Sequence, residues 1–369
     1  MKQTPIQHPL KRPLGWLGAL VLALVLAGCS GSRVGASSWP GASVDQNAAY
    51  VAFNDHVNAV SVQSGQELWS FTPPAEDKGA TFYAAPTIAN QDTVVVAGYN
   101  GVVYALQTAS GNLIWRHPTS SSKIVGSPAV AGDLVVVPST DHHVYALNLS
   151  SGAQVWSFET AGPIWATPLV IDQTVYIAGL DHNLYALNLS DGTVVWQRQL
   201  GGAMTDRPTP MANLILAGTF NNQLVALDAK SGSVVWTVKT DGWVWGDPAV
   251  QDNVAYFGDV SGTFYAIDSN GKTVWTNHLD GGITASPVVE NGTVYFVTDA
   301  GDSGTMFARQ AADGKPAWQQ PLQGQPLSDP ALNGDTVIVA TLDKNNALLT
   351  ALNAQSGALK WSHQPGGNS

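Results

Sequence analysis

The sequence predicts an all-β fold: an eight-bladed β-propeller of four-stranded antiparallel blades. Two observations carry that expectation. First, a glycine followed four residues later by tryptophan recurs down the chain at Gly65/Trp69, Gly111/Trp115, Gly152/Trp156, Gly192/Trp196, Gly232/Trp236, Gly271/Trp275, Gly314/Trp318 and Gly357/Trp361. Second, two further residue types hold the same phase. One is a small residue at Ala59, Ala105, Ala146, Ala186, Ala226, Ala266, Ala308 and Ala351; the other is a proline at Pro86, Pro128, Pro168, Pro208, Pro248, Pro287 and Pro330. A period near 40 residues in three registers is the signature of a repeat architecture.

One unit shows the internal plan. Between Ala166 and Leu200 four short runs alternate with turn residues: Pro168–Ile171, Thr174–Ala178, Leu184–Leu189 and Val194–Gln199. Each run is β-branched or aromatic, and none has the length or period of a helix. The turn Ser190-Asp191-Gly192 supplies a residue able to take positive φ, as a bulged hairpin requires. Four such strands per repeat make a blade, and radial closure removes the edges that an open sheet of this size would expose. In this plan the alanine permits close approach between blades. The tryptophan belongs to the outer strand, covering the turn glycine and packing on a neighbour.

Composition agrees. Hydrophobic residues are 44% and charged residues 12%, enough apolar material for a large core and too few charges for a disordered chain. The 37 glycines and 21 prolines suit many tight turns. The formal net charge is −11, and the first 28 residues carry the cations Lys2, Lys11 and Arg12 and no acid. The remainder is therefore strongly acidic. It would be repelled by phosphate backbones, which argues against nucleic acid, and direct adsorption to an anionic membrane is disfavoured on the same ground.

The amino terminus reads as an export signal. After the three cationic residues comes Leu14–Ala27, LGWLGALVLALVLA, the length of a signal core rather than of a membrane span. It ends in Leu26-Ala27-Gly28-Cys29, which resembles the lipobox of bacterial lipoproteins. That resemblance implies cleavage before Cys29, acylation of its thiol and amino group, and membrane attachment through the lipid, since several acyl chains on one residue anchor stably. Cys29 is the sole cysteine, so no intramolecular disulfide forms. The expected organisation is a lipoprotein signal peptide (1–28), a lipidated flexible tether (29–38), the propeller (39–363) and a short tail (364–369). The expected location is extracytoplasmic: on the outer membrane facing the periplasm if there are two membranes, otherwise on the outer face of the cytoplasmic membrane.

The tract YALxxxxGxxxW, as in Tyr145–Trp156 and Tyr185–Trp196, resembles the repeat of the pyrroloquinoline-quinone (PQQ) propeller superfamily, with coverage from residue 39 to 363. One branch consists of quinoprotein dehydrogenases that oxidise alcohols or sugars with PQQ and calcium. The other consists of cofactor-free envelope scaffolds of the outer-membrane β-barrel assembly type, which combine a lipobox, a short tether and eight blades. Many dehydrogenases carry a vicinal disulfide and are considerably longer, features this chain lacks. The resemblance therefore implies a monomeric, non-catalytic scaffold without cofactor that binds envelope proteins. A PQQ- and calcium-dependent oxidoreductase and a receptor for a small extracellular ligand are the alternatives.

A binding surface is expected where the links into the innermost strands meet. Three residues before each proline stand Tyr83, Val125, Trp165, Thr205, Trp245, Thr284 and Leu327, with Trp39 in the matching place of the first unit. These positions vary while the framework does not, as a site grafted on a scaffold would. The candidate surface is Trp39, Tyr83, Trp165, Trp243 and Trp245, flanked by Asp206, Arg207, Asp247 and Asp329. Aromatic rings with arginine are common interface anchors, and large rings also serve as packing, so a partner surface and a plug in the funnel are both open on sequence alone. The turns Asn54-Asp55-His56, Asp141-His142-His143 and Asp181-His182 have metal-ligand composition, but their recurrence at one blade position spreads them around the ring. They read as polar hairpin turns, and no metal site or catalytic residue is expected.

Overall fold

The computed structural model describes residues 41–326, 328–343 and 346–364, and among these there is no helix. Eight antiparallel sheets follow one another along the chain, each with its strands in sequence order. Blade 1 consists of Gly41–Val44, Ala48–Phe53, His56–Ser61 and Glu67–Phe71. Blade 4 consists of Leu169–Ile171, Thr174–Ala178, Asn183–Asn188 and Val194–Gln199, within a residue or two of the four runs read from the sequence. Blade 8 consists of Ala331–Asn333, Thr336–Asp343, Asn346–Asn353 and Leu359–His363, with a fifth segment, Gln325–Pro326, paired beside its second strand. The first strands of neighbouring blades approach one another around the axis, so they are the innermost.

The apolar runs follow from what each strand faces. In blade 3, Val144 and Ala146 pack toward blade 4 with Val175, Ile177, Tyr185 and Leu187. The intervening Tyr145 and Leu147 pack toward blade 2 with Val103, Ala105 and Trp115. A strand with period two and a neighbour on both sides has two buried faces, so its sequence is continuously apolar. The outer strand has one neighbouring layer only, and Val155 and Val195 are exposed there.

The repeated alanine and tryptophan stand opposite each other in the same blade. Ala146 pairs with Trp156 and Ala186 with Trp196, each with a bulge at the following residue, and the same pairing occurs in all eight blades. The indole then reaches out of its blade. Trp115 Nε1 donates to the Leu149 carbonyl of blade 3 at 2.7 Å, and Trp156 Nε1 to the Leu189 carbonyl of blade 4 at 2.8 Å. The glycine that the indole covers also belongs to the next blade. A Cβ on Gly152 would stand 2.6 Å from the Trp115 ring, and Gly152 has φ +70°, so glycine is required on two grounds.

The ring closes by the same device. Trp361 Nε1 of blade 8 donates to the Val62 carbonyl of blade 1 at 2.8 Å and covers Gly65. Asn333 Nδ2 donates to the Asp45 carbonyl at 2.6 Å. Ala49, Val51 and Val60 of blade 1 bury against Ile338, Ala340 and Leu349 of blade 8. Each of these two blades is complete from its own end of the chain, so closure uses side-chain latches and a packed layer rather than a shared sheet.

Candidate functional site

In blades 2 to 6 the turn between the second and third strands is bonded to the link that leads into the same blade. Tyr99 N donates to Thr81 O, Thr140 N to Lys123 O, Leu180 N to Pro163 O, Phe220 N to Ala203 O and Val260 N to Trp243 O. That bonding gathers the links and turns on one face around the axis. There they surround a bowl of about 320 Å³ lined from all eight blades. Tyr83, Val125, Trp165, Thr205, Trp245 and Thr284, the residues three before the prolines, all line it, with Asp206, Asp299 and Asp329. Trp39 and Leu327 lie outside the described residues, as does Cys29.

The inner strands sit close because small residues allow it. A Cβ on Gly126 would stand 2.2 Å from the Trp165 carbonyl oxygen, and one on Gly246 would stand 2.8 Å from the backbone at Ala285 and Ser286. Gly41 abuts Ala84 and Ala85 in the same manner.

The aromatic candidates form two groups. Trp243 stacks on Phe220 with centroids 4.9 Å apart and planes 10° apart, while Trp245 contacts the same ring at 5.0 Å. Trp243 is 40% exposed, the largest exposed aromatic surface among the described residues. On the opposite arc Tyr83 packs on Tyr99 at 4.6 Å, and the Lys123 ammonium stands 4.7 Å above the Tyr99 ring. Trp165 lines the bowl between these groups. Phe220, Tyr99 and Lys123 were not among the sequence candidates.

The charged candidates occupy blades 5 to 8. Ser286 links two of them: its hydroxyl donates to the Asp247 carboxylate, and its backbone N–H donates to Asp329 Oδ1 at 2.6 Å. Thr209 Oγ1 reaches Asp247 Oδ2 at 3.5 Å, and Arg207 N donates to Asp206 Oδ1 at 2.8 Å. Enclosure by the ring, then the charges of Asp247 and Asp329, push Asp206 well above the usual carboxylate range. Enclosure also raises Asp247, with Ser286 and the Arg207 guanidinium opposing. Asp329 is pushed up to about 7, by enclosure first and by Asp247 second, although solvent reaches it along the bowl.

The sign of the consequence is fixed. A carboxyl with a raised folded pKa binds its proton more tightly in the native state, so stability falls as pH rises from about 4 toward 7. Asp329→Asn removes that repulsion. Its denaturation midpoint in urea should exceed wild type at pH 8 and converge with it at pH 4.5; equal midpoints at both values would show that the carboxylates do not interact.

The histidine-containing turns have a structural use. Asp141 accepts from His143 N at 3.0 Å and Tyr145 Oη at 2.7 Å, and Asp181 accepts from Asn183 N at 3.0 Å and Tyr185 Oη. His142 and His182 take φ of 71° and 70° in the turns themselves. Among the described residues no three of His, Cys, Asp or Glu are placed to hold a metal ion together.

The fold has many solved counterparts. A family profile described as outer membrane protein assembly factor BamB matches residues 54–209, 201–285 and 261–369. The crystal structure of BamB from Moraxella catarrhalis superposes with TM-score 0.66 at 20% identity, over 85% of this chain and 91% of that one. The computationally designed Ika8 protein superposes with TM-score 0.71 at 15% identity, over 88% and 95%. A europium-containing methanol dehydrogenase gives TM-score 0.64 at 15% identity, over 87% and 84%. No curated protein matches the sequence.

Proposed function

The chain belongs to the outer membrane protein assembly factor BamB family, and from that premise we propose that it is a non-catalytic scaffold of a bacterial cell envelope. In this reading residues 1–28 are removed as a signal peptide, Cys29 carries the lipid, and the tether holds the propeller off the membrane on its extracytoplasmic side. The bowl face docks another envelope protein, and no cofactor takes part.

One observation carries the reading. The framework positions are consumed by latches and turns in every blade, while the residues lining the bowl differ from blade to blade; Trp243, in the link two residues before the lining residue Trp245, is stacked yet open to solvent. An accessible tryptophan held by a second ring has the composition of an interface anchor. Membership of the assembly-factor family supplies the kind of partner, a component of the machinery that inserts β-barrels.

A photo-crosslinking residue at position 243, introduced in native membranes, tests it. Crosslinks to a discrete envelope protein, absent when the same residue replaces exposed Val195 on the outer strand, are expected. Saturable binding of PQQ with calcium, accompanied by dye-linked oxidation of an alcohol or sugar, would replace the scaffold with an oxidoreductase.

A further inference from the structure

The bowl has walls of one chemistry and counter-charges of another. Tyr83, Trp165 and Trp245 are among its lining, with Asp206, Asp299 and Asp329. Asp299 already accepts from Gly301 N at 2.7 Å and Gln325 Nε2 at 2.8 Å, which leaves Asp206 and Asp329 as the acids for an incoming charge. Asp247 stands behind them through Ser286. The cations facing this group are Arg207, which offsets Asp206 and Asp247, and Lys123, which is held over Tyr99 on the far arc. The acids therefore exceed the cations, and the excess lies on blades 5 to 8. The Thr205 hydroxyl oxygen in the bowl lining is buried and has no hydrogen-bond partner. A buried polar atom of that kind marks a place where an incoming donor or acceptor gains a bond without displacing one.

We propose that the bowl binds an organic cation, the guanidinium or ammonium group of a basic side chain on a partner segment, with Asp206 and Asp329 as counter-ions and the Tyr83, Trp165 and Trp245 rings as walls. Ring faces attract a cation and carboxylates give it charge-assisted hydrogen bonds, so the two chemistries select the same ligand. A volume of about 320 Å³ lies at the small end for ligand sites and suits one long side chain. The inference deepens the scaffold reading by naming the group that the partner inserts.

Entry of a cation has a second consequence. Enclosure and neighbouring carboxylates raise Asp206 and Asp329, the latter pushed up to about 7. A positive charge among them favours ionisation, so binding releases protons and tightens as pH rises from about 5 to 8.

The experiment is calorimetric titration of the purified full chain with the peptide acetyl-Gly-Arg-Gly-amide, its citrulline counterpart and agmatine, in two buffers of different ionisation heat. The arginine peptide should bind, with proton release, and should weaken about tenfold in Asp329→Asn or Asp206→Asn. The citrulline peptide, equal in shape and neutral, should not bind. Equal binding of agmatine and the peptide assigns the cation to a free amine; preference for the peptide assigns it to a protein segment. Equal binding of the citrulline peptide, indifference to both substitutions, or no binding of any probe at millimolar concentration overturns the proposal. Because the titration needs no partner, its failure leaves the crosslinking at position 243 to decide the scaffold reading separately.

Discussion

Trp156→Ala should destabilise the protein by about 4 kcal/mol, within the range for truncating a buried indole. Trp156 is 8% exposed, fills the layer between blades 3 and 4, and bonds the Leu189 carbonyl at 2.8 Å. Truncation leaves a cavity in that layer, an unmatched carbonyl and an uncovered Gly192. Trp156→Phe keeps most of the apolar contact and loses the N–H, so it should cost about 1–2 kcal/mol. Trp361→Ala removes the equivalent latch where the first and last blades meet. Hydrogen exchange separates the two. Trp361→Ala should raise exchange in Ala48–Ser61 and Thr336–Asn353, while Trp156→Ala should raise it in Leu134–Asn148 and Thr174–Asn188. Losses below about 1 kcal/mol by urea denaturation, or an identical exchange pattern in both variants, would remove the latch from the stability argument.

Asp259→Ala should cost about 3–5 kcal/mol, because the carboxylate is fully buried and organises a whole turn. It accepts from Gly242 N at 2.8 Å, Ser261 N at 2.9 Å, Thr263 N at 3.2 Å, Tyr265 Oη at 2.8 Å and the Ser261 hydroxyl at 2.5 Å. Removing it strands several buried donors between blade 6 and its own link. Burial alone would raise this carboxyl, but the bonds from Ser261, Tyr265, Gly242 and Thr263 outweigh it and hold it below the ordinary range. A lowered folded pKa contributes stability above the unfolded value, about 3.9, and that contribution is lost as pH falls through the folded pKa. Wild-type stability should therefore decline below pH 4 more steeply than that of Asp259→Asn. Parallel acid profiles would assign the acid loss to other groups.

Asp259 and Asp329 have opposite pH dependences within one fold. The first is an acid surrounded by donors, the second an acid among acids. Composition does not distinguish them, since the difference lies in which neighbours the turns bring within reach.

The blade plan was legible because a repeated unit writes its constraints eight times. The runs in 168–199 marked their strands to within a residue or two, and the positions preceding the prolines marked the bowl. The direction of the indole was not legible. Gly152 and Trp156 are four residues apart in sequence, yet Trp156 covers Gly192 and Gly152 lies under Trp115. Periodicity fixes the spacing of copies and is blind to which copy a side chain meets. Phe220 and Tyr99 were missed although a signal existed. They hold the turn position occupied by Thr140, Leu180 and Val260 in other blades, a position that varies between repeats as the link positions do.

Each blade gives an indole to the blade after it and receives one from the blade before. In a symmetric oligomer this would be a head-to-tail interface, and head-to-tail interfaces either grow without limit or meet themselves in a ring. Here a single polypeptide meets itself. A link from His363 to Gly41 would join an outer strand to the next inner strand, as the internal links do. A gene rearranged to begin at any blade, with those two ends joined by a short linker, keeps all eight indole bonds. Such a chain has no first blade in any energetic sense, and the place where synthesis starts is arbitrary to the folded ring.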